Sequence, residues 1–482
     1  MVKYNNYRST KLIKPDIKPA PAIKPLFNIG ALLDIPTGMW VHGKHGESIL
    51  LGGLGQATGV VGPGNMGKSL LLDFMTLSCA NRIFSTNDTF IQTYDSECNK
   101  HEHRLSTMAS RFEYLKDRDI LTNGEWLVVS KDHMTGDAWF DKLKEYIKQK
   151  EKAAKDITRE TPFLDRDGKS LIKMMVPTFT QIDSLSEFDT SATAKIQEEN
   201  SLGESGGNTI HMRAGLDKTR LLMEVPYLSG VGSNYFLMTA HLGEKMQMAS
   251  GPYQAVPIKK LQHLRGDLSV KGVSNKFFFL MSNCWQLLDA KPLVNQGTKA
   301  PEYPRDSVEN NDAGSLDLSL TSIKQLRSKS GPSGYVIQLI VSQTEGVLPS
   351  LTEFHYLKDN DRFGLDGNLQ SYSLDIYPDV KLSRTTVRSK IDEDPKLRRA
   401  LNITAELSQM HQFHRGLGDL LCTAKELYNG IKEQGYDWDM ILSETRGWWT
   451  LDNDKAPGKF LSTKDLLEMR KGLYKPYWLK TK

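Results

Sequence analysis

Gly62-Pro63-Gly64-Asn65-Met66-Gly67-Lys68-Ser69 is the stretch on which the reading of this chain turns. It fits the spacing G-x-x-x-x-G-K-[ST]. Gly59-Val60-Val61 ends an apolar run before it, and Leu70-Leu71-Leu72 opens a helical pattern after it. A glycine turn that joins strand to helix lets the backbone wrap tightly, so that successive N–H groups point inward. The helix N-terminus adds the positive end of its dipole. Gly62, Pro63, Gly64, Asn65, Met66, Gly67, Lys68, Ser69 and Leu70 are therefore expected to cradle the phosphates of a nucleoside triphosphate. Lys68 would supply a point charge to the β- and γ-phosphates, and the Ser69 hydroxyl would complete the shell of a Mg²⁺ ion.

Outward from this turn, short apolar runs alternate with amphipathic stretches. Thr58–Val61, Thr89–Tyr94, Trp126–Val129, Thr178–Ile182, Tyr235–Ala240, Lys276–Met281 and Tyr335–Val341 read as strands. Leu70–Asn81 and Met212–Val225 read as helices, and Lys142–Lys155 as an exposed helix. This alternation predicts an α/β fold with a mostly parallel sheet flanked by helices. Glu198–Asn208 is polar and glycine-rich and reads as a loop. Residues 1–28 carry Lys3, Arg8, Lys11, Lys14, Lys18 and Lys24 among four prolines, which predicts an extended basic arm. Residues 29–384 then form the core. Residues 385–482, with helical periodicity at Asp394–Gln412 and Cys422–Gln434 and tryptophans at 438, 448 and 449, form a small, mainly helical C-terminal domain.

Composition narrows the function classes. The 482 residues are 39% hydrophobic and 25% charged, which allows a sizeable core and excludes disorder of the whole chain. Lys plus Arg is 62 against 58 Asp plus Glu, so any nucleic-acid surface must be local. No apolar run is long enough for a membrane helix, and the charged opening at 1–15, with no apolar stretch behind it, is not expected to act as a secretory signal. Four scattered cysteines, Cys79, Cys98, Cys284 and Cys422, fit a reducing, cytoplasmic setting better than a disulfide framework.

A triphosphatase also needs acids at the tips of its strands. Asp183 ends the run Thr178–Ile182, where an acid would join Ser69 in holding Mg²⁺. Glu97 follows Thr89–Tyr94 and can polarise an attacking water, although Asp95 beside it is also acidic. His241 follows Tyr235–Ala240 and can sense the γ-phosphate. His101 with His103, and His411 with His414, lack a third ligand and are read as structural rather than metal-binding.

Taken in order, GGLG (52–55), GPGNMGKS (62–69), YDSE (94–97), IDSL (182–185) and TAHL (239–242) resemble the RecA family, most closely the phage UvsX-type recombinases. The resemblance covers about residues 45–360. It implies a RecA-like P-loop NTPase core that binds ATP and Mg²⁺. It also implies Glu97 as catalytic base, Asp183 as the Walker B acid and His241 as the residue coupling ATP to DNA. Asn200–Asn208 and Leu242–Val273 fall where the family keeps its two DNA loops. Lys245, Lys259, Lys260, Arg265 and Lys271 on the second would contact single-stranded DNA through phosphates. Arg327 and Lys329, in RSKSGPSG, match the basic residues that reach the ATP of a neighbouring protomer in a filament or ring. The strand before Asp183 is less apolar than the family's, and an insert at about 140–175 lengthens the core. A DnaB-like helicase is the alternative, favoured by Arg327–Gly334, which resembles a helicase finger. A nucleotide-binding assembly factor is a third reading.

Overall fold

The computed structural model describes residues 23–199, 207–244, 262–265, 268–274, 276–368 and 370–480. Its main sheet has ten strands: β1 (Ala57–Gly62), β2 (Phe90–Asp95), β3 (Trp126–Ser130), β4 (Thr178–Asp183), β5 (Asn234–Glu244), β6 (Leu268–Val270), β7 (Asn283–Pro292), β8 (Leu318–Ser328), β9 (Val336–Ser342) and β10 (Gly346–Val347). Their spatial order is β10-β9-β8-β7-β1-β5-β4-β2-β3, with β6 paired to β5. From β7 to β3 all neighbours are parallel. Strands β8 to β10 extend one edge as an antiparallel meander. The fold is thus α/β with a mixed sheet, parallel where the candidate site lies.

Side-chain alternation explains why both faces of the centre are covered. In β5, Tyr235 and Leu237 pack with Leu72, Met75 and the rest of helix α1 (Lys68–Phe84). Phe236, Met238 and Ala240 face the other way, onto Trp139, Leu143 and Ile147 of α2 (Gly136–Lys152) and Leu221, Leu222 and Val225 of α3 (Gly207–Gly232). Helix α2 is the stretch expected to be exposed. It begins earlier than its charge pattern suggested, and Trp139 and Phe140 set a buried face that the lysine-rich part conceals. Among the described residues no helix is long and apolar enough to cross a membrane.

Three sequence expectations are corrected. Lys276–Met281 is not a strand: Lys276–Leu280 is helix α4, and the strand is β7, just beyond it. Phe277 and Met281, one turn apart, are both buried. The Phe277 ring closes so tightly on Gly59 that a Cβ there would lie 2.8 Å away. A short apolar run carries no period that separates the two states. The loop expected from Leu242 starts later, because β5 continues to Glu244 and pairs with β6 as a ribbon. The polar stretch Glu198–Asn208 is helical at both ends, in Ser191–Glu199 and at the start of α3; the residues between lie outside those described.

The hydrophobic core crosses both expected boundaries, at 28/29 and 384/385. Phe27 is fully buried, stacks on Trp449 at 4.7 Å and meets Tyr235 edge-on at 4.9 Å. Trp449 also meets Phe163 at 5.0 Å, in a hairpin (Thr158–Leu164 with Leu171–Met175) supplied by the insert. Its indole donates to the Leu26 carbonyl at 3.2 Å. Helix α5 (Pro349–Asp359) and helix α6 (Pro395–Phe413) share this cluster. Trp449→Ala should therefore lose about 3–5 kcal/mol of stability, read from urea midpoints; a loss below about 1 kcal/mol would show that the aromatic cluster does not tie the two ends together.

Candidate active site

The glycine turn at 62–69 takes the shape its residues permit. Asn65 (φ 54°) and Gly67 (φ 81°) are left-handed, one tolerated by Asn and the other natural to Gly. Nothing lies within 4 Å of a Cβ built on Gly64 or Gly67, so these two glycines border open space. The turn opens onto a cleft of about 670 Å³ lined by Gly64–Leu70, Glu97, Lys100 and His241, and closed on the far side by Pro292, Ser319 and Val341.

Strand order decides which side chains meet here. β5 lies between the phosphate-loop strand β1 and the acid strand β4, with Gly62 beside His241 and Ile182 beside Met238. On the other side of β4, Asp95 pairs with Asp183. The sheet therefore brings Lys68, Ser69, Glu97, Asp183 and His241 to one edge. The Lys68 ammonium donates to the Pro63 carbonyl at 2.7 Å and lies 3.5 Å from His241 Nδ1. His241 Nε2 lies 2.9 Å from Glu97 Oε1. With its proton on Nε2, the ring accepts from Lys68 and donates to Glu97, which links all three. Burial lowers the Lys68 pKa, with the charges of Glu97 and Asp183 opposing the shift.

Geometry also separates the two acids of YDSE. The Asp95 carboxylate accepts from the backbone N–H groups of Glu97, Asn99 and Lys100 at 3.1, 2.8 and 2.7 Å, so it is spent on shaping the turn. Glu97 is about a quarter exposed and points into the cleft, steadied by Asn99 at 3.1 Å. Asp183 is buried. Its Oδ1 accepts from Thr239 at 2.6 Å, and Ser69 lies beside it. Burial alone would raise its carboxyl, but the Lys100 charge and the polar contacts with Thr239 and Ser69 outweigh that and lower its pKa. An ionised carboxylate next to the Ser69 hydroxyl suits a Mg²⁺ ion that takes its remaining ligands from phosphates and water, so these residues fit that ion.

No family model matches this chain, and no curated protein matches it.

The other expected residues lie elsewhere. Arg327 pairs with Cys284 at the end of β8 remote from Lys68, whereas Ser319 at the other end borders the cleft. About 25 Å of extended strand separates the two ends. Arg327 and exposed Lys329 lean on the carbonyls of Met281 and Leu280, at 3.3 and 3.4 Å. Neither can serve the cleft of its own chain. Among the second-loop residues, Lys245, Lys259 and Lys260 lie outside those described. Arg265 is exposed, and the Lys271 N–H donates to the His241 carbonyl at 2.9 Å. His411 and His414 bond the carbonyls of Cys422 and Ile35, each at 2.9 Å.

Sequence reasoning missed Lys100 and Asp73. Their side chains are 4% and 6% exposed and in contact at 2.5 Å. The one available signal was spacing: Asp73 lies one helical turn after Ser69 and so on the same face of α1.

Proposed function

We propose that this chain is an ATP-hydrolysing, single-stranded-DNA-binding recombinase of the RecA type, active as an assembly with ATP at the subunit interface. The observation that carries this reading is the convergence of Lys68, Ser69, Glu97 and His241 on one cleft at the tips of adjacent parallel strands, with Asp183 buried at the tip of the neighbouring strand. In the proposed reaction the phosphate-loop amides and Lys68 bind the triphosphate, Lys68 exchanging the Pro63 carbonyl for phosphate oxygens. Ser69 and Asp183 would hold Mg²⁺, which supplies positive charge against the phosphates. Glu97 orients a water for in-line attack and takes its proton. His241 touches both Lys68 and Glu97, so changes at the phosphates reach the β5 backbone. One hydrogen bond farther lies Lys271, at the base of the segment that carries the basic residues. The placement of Arg327 and Lys329 away from their own cleft supports action in trans, whether in a filament or a ring.

Single-stranded DNA should stimulate ATP hydrolysis by the wild-type chain, and Lys68→Ala should abolish both basal and stimulated turnover while leaving the thermal melt unchanged. Phosphate release that DNA does not alter would overturn the DNA-dependent reading. Homologous pairing without unwinding of a forked duplex selects the recombinase; unwinding without pairing selects the helicase.

A further inference from the structure

Beneath the phosphate loop, three charged side chains lie out of solvent. The Lys100 ammonium stands 2.5 Å from Asp73 Oδ1 and 3.2 Å from Asp183 Oδ2. The exposures of these side chains are 4% for Lys100, 6% for Asp73 and 3% for Asp183. Each comes from a different element. Asp73 projects from α1, Asp183 ends β4, and Lys100 is fixed by the turn whose amides Asp95 holds. Asp183 Oδ2 is buried and makes no aligned hydrogen bond, so its contact with Lys100 is ionic alone. Two buried carboxylates converging on one point make a position for a hard cation, and leaving such acids without one is costly. Here the protein supplies the cation itself.

We infer that Lys100 is a tethered cation filling a two-carboxylate metal position between Asp73 and Asp183, next to the place proposed for Mg²⁺. The inference rests on the reading of Asp183 as the magnesium acid and names a positioning residue for that site. Asp183 keeps one oxygen on Thr239 and gives the other to a resident charge. This position then offers no vacant pair of acids to a divalent ion, and metal enters with the phosphates. A site built this way keeps a positive charge against its two acids when no nucleotide is present. Asp73 contributes by sharing the ammonium, which keeps it from closing fully on Asp183.

The test uses the full chain without nucleotide and Mn²⁺ alone as probe, with free Mn²⁺ followed by electron paramagnetic resonance. Lys100→Ala should bind one Mn²⁺ about tenfold or more tightly than wild type, because removing the ammonium exposes both carboxylates. Adding Asp73→Asn to that variant should erase the gain. Equal Mn²⁺ binding by wild type and Lys100→Ala, or a gain that survives Asp73→Asn, overturns the inference. If Lys100→Ala does not fold alone, Mn²⁺ should restore its circular-dichroism melt; failure to fold with and without the ion also counts against it. ATP binding by the wild type, measured separately with Mg²⁺, reads the proposed function: a wild type that binds no ATP removes that function, whatever the manganese result.

Discussion

Glu97→Gln should lower ATP turnover about 10²–10⁴-fold while leaving nucleotide affinity essentially unchanged. Gln keeps the size of the side chain and can still meet His241, but it cannot accept a proton from water. The phosphate loop, Lys68 and the Ser69–Asp183 pair are untouched by the change, so binding survives. Single-turnover hydrolysis and titration with a fluorescent ATP analogue separate the two effects. The control is Asp95→Asn. Asp95 organises the turn through three backbone amides, so its loss should lower the melting temperature as well as the rate. Wild-type turnover in Glu97→Gln would remove Glu97 from the chemistry.

Arg327→Ala should reduce turnover about 10³-fold or more in the assembled protein, the size expected when a cation supplied in trans is lost. The physical ground is distance: Arg327 sits at the opposite end of β8 from the residues that border its own cleft. The decisive form of the experiment mixes two inactive chains. Arg327→Ala retains an intact cleft, and Lys68→Ala retains an intact Arg327. Where the second chain presents its arginine to the first, a working interface reappears, so the mixture should recover part of the activity that neither chain has alone. No recovery, with co-assembly verified by light scattering, would place Arg327 outside the reaction. Burial lowers the pKa of neighbouring Lys329, with the charges of Arg327 and Lys24 adding to the effect.

Much of the site was legible because its parts are local. A glycine turn between strand and helix announces itself in eight residues, and acids at strand tips are found by reading each apolar run to its end. Glu97, Asp183 and His241 were reachable in that way, since parallel register aligns the tips of neighbouring strands. The contact between Lys100 and Asp73 was not. It depends on a turn shaped by Asp95 meeting a helix that starts many residues earlier, and no short-range pattern records such a meeting. The same limit applies to the aromatic cluster of Phe27, Phe163 and Trp449, whose members come from the start, the insert and the end of the chain. A basic, proline-rich beginning suggested an arm, but composition does not reveal that its last residues are buried. The mistaken strand at Lys276–Met281 came from an apolar run too short to show a period, while the long strand β8 alternates with polar residues that hid it.

Strand β5 has parallel neighbours on both sides, and successive side chains along it serve opposite layers. Adding or deleting one residue between Asn234 and His241 would exchange those layers, presenting each side chain to the packing meant for its neighbour and drawing His241 away from Lys68 and Glu97. Change in length is therefore better placed beyond His241, where β5 has parted from β1 and β4 and continues in its ribbon with β6. Added residues there would leave the alignment of β1, β5 and β4 untouched, and with it the spacing of Lys68, His241 and Asp183.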